Sequence, residues 1–441
     1  MSSSFPPNAS PPDITMSPPS RSTYGTFSDN LVATSNLENV NNFSFRRRRS
    51  SAYICRCTFV LLAAFAACLV LVYFTEIGPF PCSDFPYLRP PYRKVPRDWS
   101  AFRNQSWAVG FDLTAGYSTS SIAFNNGTII NIMKWQPETQ YNNVLARMST
   151  EEAQHPTPPY YNCNAIIEDV GRQWNRWWRK KRGMPASDDT SALVSPLQVL
   201  KTDTNVWLRR RGMDEMQVVF VTVPLLSAMY MEDLVDAAAF VGLQVLTLPR
   251  RNPLSGHLPV TEINTAFAGM GLGLDGIFPS KIETEPWSTD TFSVLFTKKA
   301  LTAQVSSIKQ ASNWPMAKGI ANFGLGLEAM DIMGNETYWH AIHSALKDAL
   351  DSDPYWHRRG YTLGRVIVYG EAAENDIFQR VLREEVEAAQ LSNEEEKQPR
   401  FWSVDPVFAG SRGAAIFGNW CQREIGERCF PNLTPQGPSW F

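Results

Sequence analysis

The stretch that most constrains this chain is Val109 to Phe124, VGFDLTAGYSTSSIAF, with the turn Asn125-Asn126-Gly127 and a third apolar run, Thr128 to Trp135. An apolar strand, Trp107 to Phe111, runs into Asp112, and a loop of small residues (Thr114, Ala115, Gly116) turns back into a second strand. Asn-Gly at the next corner is a hairpin signal, because both central residues of such a turn can take positive φ. An acidic residue at a strand end, beside a tight loop of small residues, can hold Mg²⁺ through water while backbone N–H groups face a phosphate. An ordinary hairpin accounts for the same residues.

At 441 residues the chain has room for one large or two medium domains beyond any tails. Its net charge of -2 gives no electrostatic case for nucleic acid as a partner. Residues 1–52 are rich in Ser, Pro and Asn and poor in large aliphatics, so they read as a disordered tail. Cys57 to Phe74 is an uninterrupted apolar run preceded by Arg46 to Arg49 and Arg56. Its length reaches that of a membrane span, and arginines before a span keep that side cytoplasmic. The expectation is a type II single-pass membrane protein of the secretory pathway or plasma membrane, with a cytoplasmic tail over 1–52 and a signal-anchor over 53–76. A Pro-rich stalk follows over 77–96 and a lumenal globular domain over 97–441. Asn104, Asn126, Asn335 and Asn432 begin N-x-[ST] sequons on the lumenal side, where glycosylation can occur. Four of the seven cysteines (Cys82, Cys163, Cys421, Cys429) also lie beyond the span. Cys421 with Cys429 is the obvious local disulfide, although four cysteines allow three connectivities.

Within the domain, Gln136 to Gln154 is polar and partly helical, and a long helix spans about Ala165 to Arg182, ending in RQWNRWWRKKR. Its tryptophans recur at helical spacing, which reads as a core-facing stripe with solvated arginines opposite. Another helix is expected over Ser195 to Arg209. Gln217 to Val223 is a buried strand, Tyr230 to Val241 a helix ending at Gly242, and Gln244 to Leu248 a second strand. That unit argues for a mainly parallel sheet with helical cover. Glu262 opens a short helix, Thr291 to Phe296 and Ala303 to Ile308 read as a strand pair, and Tyr338 to Leu350 is helical. Arg365 to Tyr369 is a strand, Ile377 to Gln390 an amphipathic helix, and Asp405 to Trp420 holds a final helix packed by small residues.

Taken in order, these pieces resemble the nucleotide-binding domain of DnaK-type heat-shock chaperones, in the actin-like ATPase superfamily. VGFDLTAGYSTSSIAF is similar to the family's first phosphate loop. VFVTVPLLS…DLVDAAAFVGLQVL resembles its valine-rich strand, proline and helix, and Glu262 with Asn264-Thr265-Ala266 falls where the family has Glu-Pro-Thr-Ala-Ala. Phe323-Gly-Leu-Gly-Leu-Glu328 resembles its His-Leu-Gly-Gly-Glu segment, Val366 to Val386 its adenosine-cradling strand, loop and helix, and SRGAAIFG its closing Gly-Ala-Ala. The resemblance covers about Ala108 to Gly418. It implies an α/β, actin-like (ribonuclease H-like) two-lobed fold and ATP or ADP with Mg²⁺ as cofactor. Asp112 and Glu262 would be catalytic organisers of Mg²⁺ and water, with Asp112 on the metal side. Thr114, Ala115, Gly116, Tyr117, Gly324 and Gly326 would contact nucleotide, and Gly370 would lie on the side of its base.

The departures bear on activity. The family's first-loop Gly is Thr114 here, and its two threonines are Ala115 and Gly116. A side chain at Thr114 crowds the close approach that a phosphate requires. The second phosphate loop falls near Thr291 to Thr302, where TFSVLFTKKALT has neither the family's Asp nor its glycines. In-line phosphoryl transfer depends on such groups for positioning and electrostatics. No position matches the catalytic Lys, and no counterpart of the family's peptide-binding domain is recognisable. The expectation is a weak nucleotide binder or pseudo-ATPase acting on protein partners as scaffold or sensor. An active ATP-hydrolysing or phosphotransfer enzyme is the alternative. A third is a type II glycosyltransferase using Asp351-Ser-Asp353, which also fits the cap of a helix.

Overall fold

The apolar run Trp107–Asp112 forms β1, and Ser118–Phe124 and Ile129–Trp135 form β2 and β3 of an antiparallel meander. The computed structural model describes residues 102–158, 163–248, 260–274, 290–308, 310–312, 319–352, 363–390, 399–425 and 429, all within the unit Pro81–Phe441. Every residue of β1 is buried because strands flank it on both sides and apolar layers cover both faces. The β2–β3 corner is a three-residue loop, with Phe124 N–H donating to Thr128 O and Gly127 N–H to Phe124 O. Only Gly127 (φ +86°) takes a left-handed conformation there, not both central residues as the Asn-Gly pair suggested.

Three helices follow: α1 (Thr139–Met148), α2 (Cys163–Lys181) and α3 (Asp188–Arg209). They are succeeded by β4 (Val218–Val223), α4 (Met231–Phe240), β5 (Gln244–Leu246), β6 (Val260–Thr261) and α5 (Glu262–Gly269). The strands make one sheet in the order β3-β2-β1-β4-β5, with β6 also on β4, and β4 runs parallel to β1. The second half repeats the plan. It holds β7 (Asp290–Phe296), β8 (Leu301–Ser306), β9 (Gly319–Asn322), α6 (Met330–Met333) and α7 (Asn335–Asp351). Then come β10 (Leu363–Tyr369), α8 (Asp376–Gln390), β11 (Arg400–Trp402) and α9 (Ala409–Trp420). Read from its other edge, this sheet is β9-β8-β7-β10-β11, again a three-strand meander with a parallel strand added beside the first. Both sheets are thus mixed rather than mainly parallel. Each half closes with one helix, α5 or α9.

Three apolar clusters give the layers. One packs the first sheet against α1, α3 and α4, and another packs the second sheet against α7 and α8. The third lies between the sheets, joining Phe220 and Leu246 of the first to Leu295 and Ile367 of the second through α5 and α9. Small residues make that middle layer thin. A Cβ added to Gly413 would fall 1.7 Å from the Thr265 carbonyl oxygen, one on Gly269 would fall 2.0 Å from that of Ala409, and one on Gly110 would fall 2.1 Å from Ala415 N.

Three expectations are corrected, and a fourth lies beyond reach. The expected span at 57–74, with the tail and stalk around it, lies outside the described residues. None of the described helices is long and apolar enough to cross a membrane. The longest, α3, carries Asp188, Asp189, Lys201, Asp203 and Arg209. In place of a two-lobed fold preceded by a membrane helix, the structure supports a mixed α/β architecture with two mixed sheets. Helix α3 begins at Asp188 rather than Ser195. Ser187 caps it by accepting the Thr190 N–H, two aspartates fill its first turn, and Pro196 lies inside it. Helix α2 is turned inside out relative to the reading of its tryptophans. Arg176 is buried, bonding Asp233 and Asp236 of α4, and Arg172 pairs with Glu232, while Trp174 and Trp178 face solvent. The neighbour decides the orientation, because α4 offers carboxylates rather than an apolar face.

Replacing Gly413 by Ala is expected to cost on the order of 3 kcal/mol or more, because the only relief is to separate α9 from α5. Gly418→Ala, whose nearest neighbour would be the Ala108 Cβ at 3.2 Å, should stay within about 1 kcal/mol of wild type. Urea unfolding of both variants checks this, and equal losses would mean that the crossing has slack.

Candidate functional site

The two carboxylates singled out in the sequence meet across β4. Asp112, the last residue of β1, is in register with Thr222, and Thr261, in register with Val223, is followed by Glu262 at the start of α5. The chain turns after Asp112 through Leu113, whose N–H donates to Thr222 O (3.0 Å), and Gly116, which takes φ +93°. Asp112 and Glu262 are 1% and 2% exposed. They hydrogen-bond each other, and Thr114 Oγ1 donates to Glu262 Oε1 at 2.7 Å.

Burial dominates the electrostatics. It raises the Asp112 carboxyl from 3.8 to about 7, against the opposing hydrogen bonds of Thr114 and Glu262. Burial and then the Asp112 charge hold Glu262 well above the ordinary carboxylate range. Asp112 Oδ1 has no hydrogen-bond partner. The phenols of Tyr117, Tyr141 and Tyr369 are pushed up by burial and, secondarily, by the same two acids. The lid of the pair is α9: a Cβ on Gly410 would sit 2.1 Å from Asp112 Oδ2.

The groups that would meet a nucleotide phosphate are engaged within the protein. The Gly116 N–H donates to Asn142 Oδ1 of α1 at 2.8 Å, and the Tyr141 hydroxyl donates to Leu113 O at 2.8 Å. Thr114, Ala115 and Tyr117 are buried beside them. The expected second phosphate loop is the β7–β8 hairpin. Its Thr297 Oγ1 accepts the N–H groups of Lys299 (3.1 Å) and Ala300 (2.9 Å). The Lys299 stem lies on Gly116, with its Cγ 3.0 Å from where a Cβ would be, and its ammonium reaches Glu328 at 2.5 Å. Glu371 clasps the two halves by pairing with Lys134 of β3 and accepting the Lys298 N–H (3.4 Å).

The remaining glycines serve backbone packing. A Cβ on Gly326 would lie 2.3 Å from Lys299 C, and Gly324 N–H is held by Asn322 Oδ1. Gly370 donates its N–H to Pro406 O and lies so close to Phe296 that a Cβ would be 2.2 Å from its carbonyl oxygen. Mg²⁺ with ATP or ADP is therefore a poor fit to these residues as they stand: the acid pair is capped by α9, the loop donor is taken and the second hairpin occupies the approach. Among the described residues no three His, Cys, Asp or Glu side chains are grouped to hold a metal ion. The sequence reading found Asp112 and Glu262 but missed Asn142 and Glu371. Asn142 is a polar helix residue without a pattern of its own, and Glu371 directly follows the Gly370 that drew attention.

The other named positions lie apart from this site. Asn104, Asn126 and Asn335 are exposed, with Asn126 Oδ1 accepting from Thr128 N–H and Asn335 Oδ1 from the Trp339 indole, and Asn432 lies outside the described residues. Cys421 and Cys429 are joined by a disulfide behind α9. Asp351 ends α7 and Asp353 lies outside the described residues.

A native Asp112 value of about 7 above the ordinary 3.8 means that the folded chain holds a proton the unfolded chain has released. Stability from this group is thus present at low pH and falls as pH rises through about 4 to 7. Asp112→Asn should match wild type near pH 4–5 and exceed it by on the order of 2–4 kcal/mol at pH 8. Denaturant unfolding across that range checks the sign, and a variant weaker than wild type at pH 8 would contradict it. The sequence matches no protein-family model and no curated protein.

Proposed function

We propose that this chain is a degenerate actin-like domain of the heat-shock chaperone type that works without phosphoryl transfer, as a scaffold or sensor for protein partners. The repeated strand order of its two halves, each closed by a central helix, supports the likeness. The observation that carries the reading is the direct seating of Lys299 on Gly116, whose N–H already belongs to Asn142. A triphosphate would have to displace both, together with the Lys134–Glu371–Lys298 clasp. In-line transfer needs preorganised donors and a hydrated metal at the phosphate, and here such groups are spent on one another. A domain without turnover can still act as a sensor, because a partner that binds one conformation better shifts the population toward it.

ATP hydrolysis is the second reading. It draws on the unpartnered Asp112 Oδ1 beside Glu262, placed where the resemblance puts the Mg²⁺ organisers. Calorimetry and thermal melting of the protein with ATP and ADP, each with and without Mg²⁺, separate the two. The expected outcome is no heat and no change of melting temperature at millimolar nucleotide. Binding that tightens with Mg²⁺ and is lost in Asp112→Asn would overturn the non-catalytic reading in favour of hydrolysis.

A further inference from the structure

Helix α2 carries its charges inward and its apolar side chains outward. Successive helical residues turn by about 100°, so positions 167, 171, 174 and 178 share one face and 169, 173, 176 and 180 the opposite one. The inward set is bonded: Arg176 to Asp233 and Asp236, Gln173 to Glu232 (2.8 Å) and Lys180 to Asp236 (2.9 Å). The outward set exposes Ile167 by 71%, Trp174 by 66% and Trp178 by 43%, with Val170 beside them at 47%. Four of the ten exposed large apolar residues among the described ones thus lie on one helix face. Burying such a surface is favourable, and a patch of this kind marks an interaction site.

The pattern of that face specifies what fits it. Its outward positions are spaced four, three and four, so they read the same in both directions. Gly171 leaves a notch in the middle: a Cβ there would meet nothing within 4 Å. The charges are polarised along the helix, with exposed Glu168 toward its start and exposed Lys181 and Arg182 at its end. Arg182 lies over the Trp178 ring at 4.6 Å.

We propose that α2 pairs antiparallel with α2 of a second copy of this chain about a two-fold axis between positions 172 and 173. Trp174 of each copy enters the notch at Gly171 of the other, and Ile167 packs on Trp178. Glu168 of each copy lies level with Trp177 of the other, about one turn short of its Lys181–Arg182 end. A parallel pair would oppose like charges, and an anionic surface would gain nothing from Glu168. The contact is isologous, so one patch satisfies itself and the assembly closes at two. This inference is independent of any nucleotide at the acid pair.

Sedimentation velocity of the full chain from about 1 to 100 μM tests it, with a sedimentation coefficient that rises toward the dimer value across the range as the expected result. Trp174→Glu should weaken association about tenfold or more with an unchanged melting temperature, since the side chain is exposed and central. Glu168→Lys and Lys181→Glu should each weaken it several-fold, and the two together in one chain should restore it. Association that persists unchanged in Trp174→Glu overturns the proposal, as does a monomer throughout the range. A monomer that binds phosphatidylserine vesicles more tightly in Glu168→Lys overturns it in favour of a lipid surface. Capture by the monomer of a peptide of residues 78–96, lost in Trp174→Glu, overturns it in favour of the chain's own N-terminal segment.

Discussion

The approach of α9 to α5 is the contact on which the rest of this molecule depends. Gly413 meets the Thr265 carbonyl and Gly269 meets the Ala409 carbonyl at distances that admit no Cβ. The two helices belong to different halves of the chain, so this crossing is where the two repeated sheets become one body. Its closeness also seals the acid pair. With α9 held this near, Gly410 is pressed on the Asp112 carboxylate and water is kept from it. The small residues near the end of the sequence thereby set the electrostatics of a residue some three hundred positions earlier. Desolvation outweighs the hydrogen bonds of Thr114 and Glu262, and the pair retains a proton that free carboxylates would release.

Two carboxylates and a small-residue loop can be built to hold a hydrated metal or to hold each other, and the surroundings choose. A metal site needs oxygens open to the ion and its waters. Here Glu262 bonds Thr114 and Asp112, while the loop donor Gly116 bonds Asn142. The second hairpin completes the change. Without an acid or glycines of its own, it turns tightly about Thr297 and lays the Lys299 stem into the space that an approaching phosphate would use. An acid pair in this setting is a cost to stability at neutral and alkaline pH rather than a contribution to it. Its cost is met by the apolar layers around it, above all the cluster joining both sheets.

Local pattern made much of the fold legible. The apolar run of β1, the valine-rich β4 stopped by Pro224, the short helix opened by Glu262 and the small-residue final helix all carry their signal within a few residues. What local pattern does not hold is the identity of the neighbour. The tryptophans of α2 announce a stripe by their spacing, yet whether a stripe faces the core depends on what lies across from the helix. That is α4, whose Glu232, Asp233 and Asp236 attract the arginines instead. The sequence reading starts α3 at Ser195, but Ser187 and two aspartates cap it two turns earlier. The site divides in the same way. Asp112 and Glu262 were visible because each ends or follows a strand in an ordered series of pieces. Asn142 and Glu371 act through contacts between distant segments, for which one sequence carries no mark.

The distribution of satisfied and unsatisfied groups differs between the acid pair and the outer face of α2. Around the acid pair, the loop donor, the hairpin turn, the glycines and the clasp of Lys134 with Glu371 are matched to groups of the chain itself, and a ligand entering there would exchange made contacts for new ones. On α2 the balance is reversed. The polar groups are matched inward and the apolar ones remain in water, so a surface that covers them gains area without breaking a bond. Rigid anchorage adds to this. Arg176 is held by two carboxylates in a buried setting, so the helix presents its outward face in a fixed orientation and little ordering remains to be done on association. With the acid pair and its loops engaged by the chain's own residues, the outward face of α2 is the surface that the proposed pairing would cover.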